Sequence, residues 1–172
     1  MAEGDNNNMG KVGGQQAGDA TPQTQVRVLG QYIKDLSFEN PNVRKLLDNA
    51  NAQQQQPNIR VEVSVNILRM AEKVFESSIQ FKAEATGDTG VIYDLELAYA
   101  GLFQVENMPE QMLEPFLLVN CPALLFPYLR RLVQDLTREG GFAPLVLDPI
   151  DFGNLYLSRQ REKAGQAAVK PN

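Results

Sequence analysis

The chain of 172 residues is 43% apolar, enough for one cored domain, and its formal charge is −5. It has no histidine and a single cysteine, which excludes histidine general-base chemistry, histidine metal ligation, disulfides and a cysteine-rich zinc site. Without disulfides it suits a reducing compartment. We read neither an apolar run of the ~18–20 residues that span a bilayer nor a basic and then apolar leader, so a cytoplasmic protein is expected.

Residues 1–24 are rich in Gly, Asn, Gln and Asp. They bury too little apolar surface to offset their ordering entropy, which predicts a disordered tail. A single folded domain is expected over 25–160. Val26 to Ile33 opens it as an outer strand leading into Lys34–Glu39, and Asn40-Pro41-Asn42 breaks that strand. Val43 to Pro57, carrying Leu46 and Leu47, reads as a long crossover loop, a kind that in compact domains usually functions or moves.

Three strands follow. Ile59, Val61, Val63, Val65 and Ile67 alternate with polar residues at a period of two, and the phase changes at Leu68, which predicts a bulge. Phe75, Ile79, Phe81, Ala83 and Ala85 alternate with Glu76, Ser78, Gln80, Lys82 and Glu84. The stretch Thr86–Gly90 supplies a hairpin loop. Val91, Tyr93, Leu95, Leu97 and Tyr99 then form one inward face, with Asp94 and Glu96 looking outward.

Beyond Cys121, Leu125, Leu129, Leu132, Val133 and Leu136 recur at helical spacing, opposite Arg130, Arg131, Asp135 and Arg138. Pro122 suits a first turn, Pro127 predicts a break or kink, and Gly140-Gly141 ends the helix. An apolar connector, Phe142–Leu147, leads to Asp151, the expected N-cap of a second, short helix carrying Phe152, Leu155 and Tyr156. Residues 161–172 read as a flexible tail. The class is α+β: a four-stranded antiparallel sheet with a long crossover loop, packed on carboxyl-terminal helices. So thin a domain leaves apolar surface over, and oligomerisation is the ordinary remedy.

Between Ala83 and Leu129 there is no lysine or arginine, whereas Glu84, Asp88, Asp94, Glu96, Glu106, Glu110 and Glu114 are acidic. Such a surface repels polyanions, so nucleic acid is not an expected partner. Asp94 and Glu96, two apart on a strand, stand on one open face; spacing alone leaves a merely solvated face and a binding face both open. Cys121 precedes a proline and has no histidine to take its proton, so we read it as buried and inert rather than nucleophilic.

The runs Cys121-Pro122, Leu125-Phe126-Pro127-Tyr128, Gly141-Phe142-x-Pro144-x-x-Leu147-x-Pro149-Ile150-x-Phe152 and Leu155-Tyr156, with Tyr32-Ile-Lys-Asp-Leu-Ser-Phe-Glu-Asn-Pro-Asn42, resemble the SecB family of bacterial export chaperones. The likeness covers roughly Val26 to Arg159. It implies an ATP-independent holdase without cofactor or catalytic residue, assembled as a dimer of dimers. It further implies a homotetramer that binds unfolded preproteins and passes them to the SecA motor, with no membrane insertion.

By position in those motifs, Asp35, Glu39 and Glu96 match the residues that contact the zinc-containing carboxyl-terminal segment of SecA. Asp94 joins them where the family often has an apolar residue. Phe38, Leu46, Leu47, Leu155 and Tyr156 are the candidate client groove. The crossover loop departs from the family in carrying Asn and Gln where aromatic residues are common. Alternative functions are a SecB-like chaperone of a toxin–antitoxin pair, an acidic adaptor and, from another class, a hot-dog-fold acyl-thioester hydrolase. In that last fold the central helix comes before most strands.

Overall fold

The computed structural model describes residues 23–44, 57–88 and 90–168. Leu46, Leu47 and residues 1–22 of the amino-terminal tail lie outside them. Four long strands, β1 (Gln25–Glu39), β2 (Asn58–Ala71), β3 (Val74–Gly87) and β4 (Gly90–Glu106), form one antiparallel sheet in the order β1-β4-β3-β2. The meander from β2 to β4 follows from its tight connections, and the crossover carries β1 to the far side of β4. The expected bulge near Leu68 falls slightly later, between Arg69 and Ala71.

Alternation segregates the two faces. Ile79, Phe81, Ala83, Tyr93, Leu95, Leu97 and Phe103 point to one side and are buried. That side receives the helices: α1 (Glu110–Pro115), a wide turn of π-helix (Phe116–Asn120) and α2 (Cys121–Glu139) run on without interruption. Leu117, Leu118, Cys121, Leu125, Phe126, Leu129 and Val133 are buried against the sheet, each large side chain contributing about 1.5–3 kcal/mol. Gly101 lets the helix come close: a Cβ there would lie 2.8 Å from Leu125 Cδ2.

The helix corrects two expectations. It passes through Pro127 without a break, and the irregularity sits upstream. In the wide turn the Cys121 N–H reaches back to the Phe116 carbonyl. The next N–H in that register would belong to Pro122, which has none. The Leu117 carbonyl, left without it, accepts the buried Ser77 hydroxyl at 2.8 Å. Because prolines 115, 122 and 127 do not divide it, Glu110–Glu139 is one helix long and apolar enough, by length and composition, to cross a bilayer. Here its apolar side lies on the sheet and its last turns are charged.

Gly141, at φ +88°, ends α2 in the left-handed conformation. Asp151 Oδ1 then accepts the Asn154 N–H at 2.9 Å, capping α3 (Phe152–Ala168) as expected. This helix is longer than the short one the sequence predicts and continues past residue 161, into the stretch whose composition reads as a flexible tail.

The bulge between Ile33 and Asp35 makes Lys34 an extra residue in β1 and sends its ammonium to Glu76 Oε1 at 2.6 Å. The Tyr32 hydroxyl donates to Glu76 Oε2. Glu76 is only 3% exposed. Burial by itself raises its pKa, but the hydrogen bonds from Lys34 and Tyr32 and the Lys34 charge outweigh burial and hold it below the usual value. The same bond, with burial and the carboxylate's charge, pushes Tyr32 up to about 12.

A carboxylate with a depressed folded-state pKa stabilises above its unfolded pKa and loses that contribution as pH falls through the folded value. Lys34→Met is therefore expected to destabilise the fold by about 1–3 kcal/mol at neutral pH. The gap to wild type should narrow in acid as Glu76 protonates. Urea unfolding at a series of pH values reads both.

Candidate functional site

The register lays the acids out in rows across the uncovered sheet face. One row reads Glu39, Asp94, Glu84 and Arg60 from β1 to β2; the next reads Ser37, Glu96, Lys82 and Glu62. A third places Asp35 beside Ala98, Gln80 and Ser64. All four predicted acids, Asp35, Glu39, Asp94 and Glu96, thus share one face although two sequence segments supply them. Asp35 and Glu96 line a shallow depression of 320 Å³ together with Glu62, Gln80 and Lys82.

Lys82 is the member that sequence reading missed. It lies one residue before the stretch that lacks cations, and pairing with β4 carries it into the acids. Its ammonium meets Glu96 Oε1 at 2.6 Å and Asp94 Oδ2 at 3.4 Å. Those partners, Glu96 first, hold its pKa above the ordinary value. The alternation in β3 had already put Lys82 on the outward face; only the strand register could show which residues it would face there. Among the described residues Asp94 Oδ1, buried beside the lysine, has no hydrogen-bond partner.

The apolar candidates divide. Leu155 and Tyr156, one turn into α3, line a second depression of 430 Å³ with Val63, Val65, Leu118 and Arg159. It lies between α3 and β2, the outer strand. Phe38 does not join them. It lies on β1, at the opposite edge of the sheet, stacked on Tyr93 at 5.7 Å and near Phe142 at 6.4 Å. There it closes one end of the core over Gly140, where a Cβ would clash with its ring.

Among the described residues no group of three or more His, Cys, Asp or Glu side chains is arranged to hold a metal ion. Cys121 is fully buried, and that burial pushes its thiol up to about 12. At pH 8 the thiolate fraction is then on the order of one in ten thousand. Maleimide labelling of the native protein, followed by mass spectrometry, should be slow and should become fast only on unfolding. Rapid stoichiometric labelling of the folded chain would contradict the buried, inert thiol.

An open four-stranded antiparallel sheet with carboxyl-terminal helices on one face is the fold of a SecB-like chaperone. A Mycobacterium tuberculosis SecB-like chaperone, solved in complex with a peptide from an antitoxin, superposes with a TM-score of 0.57 at 16% identity, over 73% of this chain and 90% of that one. The model of the family described as preprotein translocase subunit SecB matches residues 19–163. The protein-export protein SecB of Parvibaculum lavamentivorans is 48% identical over 99% of this chain and 98% of its own length. That of Afipia carboxidovorans is 43% identical over 90% and 94%. The chain belongs to the SecB family and is a chaperone of preprotein export. The toxin–antitoxin and thioesterase alternatives are not favoured.

Proposed function

We propose that this chain is a cytoplasmic, ATP-independent and non-catalytic holdase with two separate binding surfaces. Unfolded preproteins lie extended in the apolar depression at Leu155 and Tyr156. The zinc-containing carboxyl-terminal segment of SecA meets the acidic face formed by Asp35, Glu39, Asp94 and Glu96. The observation that carries this reading is the convergence of those four acids on the sheet face away from the helices. Apolar burial is non-directional and tolerates many client sequences, whereas opposed charges select one partner and set its approach.

The separation makes a residue-level test possible. The double variant Asp35→Lys with Glu96→Lys should lose SecA binding, by a hundredfold or so in affinity if both carboxylates contact a cation. Binding of an unfolded precursor should remain. Calorimetry with each partner reads the two surfaces independently, and wild-type binding to SecA should weaken as salt is raised. Unchanged SecA affinity in the double variant would sink the assignment of this face.

The reading includes a homotetramer built as a dimer of dimers. Its support is apolar surface that one copy leaves uncovered. Val26, Val28, Leu29, Ile33 and Leu36 are exposed along β1, whose outer edge pairs with no strand among the described residues, and Leu124 and Tyr128 are about half exposed on α2. Patches of this kind in soluble proteins mark association surfaces. Light scattering at micromolar concentration should return the mass of four chains; a sharp monomer mass would reject the assembly.

A further inference from the structure

Lys82 holds the middle of the acidic face. Strand pairing sets it between Glu96 on β4 and Glu62 on β2, and with Asp35, Glu62 and Glu96 it lines the 320 Å³ depression. Its ammonium reaches Glu96 Oε1 at 2.6 Å and Asp94 Oδ2 at 3.4 Å. Arg60, the other cation in these rows among the described residues, lies on the outer strand and pairs with Glu62 at 2.9 Å. Lys82 is therefore the cation set against the acids of β4.

The two contacts of Lys82 are unequal, and all three side chains are open to solvent: Lys82, Asp94 and Glu96 are 42%, 30% and 51% exposed. An ion pair so open contributes little to the fold. Its larger effect is on what else can bind. A carboxylate that already holds an ammonium attracts a second cation weakly, and the ammonium repels the newcomer. Lysine's flexible stem and rotatable donors let it shift without loss of its charge, so it can yield Glu96 and stay beside Asp94.

We infer that Lys82 is a resident counter-cation of this surface, which a basic segment of the partner must displace from Glu96 in order to bind there. Asp94 keeps the displaced ammonium. Exchange of one cation for another at Glu96 gains little, so a lone basic side chain is poorly held. A segment with several basic residues gains more, because its further charges meet Asp35 and Glu39 on β1, beyond the reach of that exchange. Lys82 thus selects for multiply charged partners and keeps their attachment reversible, as repeated hand-over of clients requires. The inference rests on reading this face as the SecA surface.

Calorimetry of SecA binding at low and at physiological salt tests it. Lys82→Met, which keeps most of the stem but not the charge, should bind SecA about two- to fivefold more tightly than wild type at low salt. The gain should shrink as salt is raised. Lys82→Arg should bring no gain, and Arg60→Met, the same loss of charge on the same face, should stay close to wild type. Glu96→Gln should cost more affinity beside Lys82→Met than in the wild-type chain, because only there is Glu96 unoccupied. A lysine with a merely structural role would not produce that coupling. The unfolding midpoint of each variant establishes that the sheet is intact.

Equal or weaker binding by a folded Lys82→Met, an equal gain from Arg60→Met, or a cost of Glu96→Gln that is the same with and without Lys82 would overturn the inference while leaving the SecA surface in place. If Asp35→Lys with Glu96→Lys left SecA affinity unchanged, the reading of the face itself would fall and the inference with it.

Discussion

Gly101 has no side chain, and Leu125 occupies the space that one would fill. Around that contact the helix from Glu110 to Glu139 covers one face of the sheet, and the burial of Ile79, Leu95, Leu97, Phe103, Leu129 and Val133 follows. Neither partner is stable alone. A four-stranded sheet with one bare apolar face, and a helix with an apolar stripe, each need the other to remove that surface from water. Once the helix has taken one face, the other is left to polar residues, and among the described residues neither sheet edge pairs with a further strand. Both proposed binding surfaces are consequences of that single packing choice.

The uncovered face has its own order. Strand pairing converts a one-dimensional alternation of acids into rows, and the rows decide which charges meet. Lys82 is drawn between Glu96 and Asp94, while Asp35 and Glu39 stay on the outer strand nearby. The face is therefore less negative around Lys82 than its acids suggest. Elsewhere on the same face Lys34 and Tyr32 bind the buried Glu76, tying β1 to β3 across the intervening strand. The sheet thus holds one internally satisfied carboxylate and several open ones, a difference set by burial and by the bulge at Lys34.

The apolar side shows a similar division between structure and availability. Phe38, Tyr93 and Phe142 stack into one end of the core. Leu155 and Tyr156 remain half-buried at the border of a depression because the helix that carries them is anchored at Phe152 and sits beside an edge strand. Arg159 joins that helix to the strand through a main-chain carbonyl. Apolar residues that look equivalent in sequence thus serve stability at one edge of the sheet and lie open at the other.

Much was legible in the residues alone. Period-two alternation marked β2, β3 and the first part of β4, helical spacing marked α2, and Asp151 and the Gly140-Gly141 pair marked helix ends, because each of these signals is local and acts through neighbours in the chain. The motifs around Cys121–Tyr156 and Tyr32–Asn42 were enough to place the chain in its family. Other features depended on contacts far apart in sequence. The uninterrupted helix through Pro127 depends on where the wide turn falls and on Ser77 taking the Leu117 carbonyl. The site of Lys82 depends on strand register, the separation of Phe38 from Leu155 on strand order, and the Arg159 contact on how α3 lies against β2. Local propensity determined which elements form and which of their sides are apolar. Only the tertiary structure decided which charges neutralise one another and which apolar side chains stay open, because those outcomes are set by pairing and packing between segments, which local pattern does not encode.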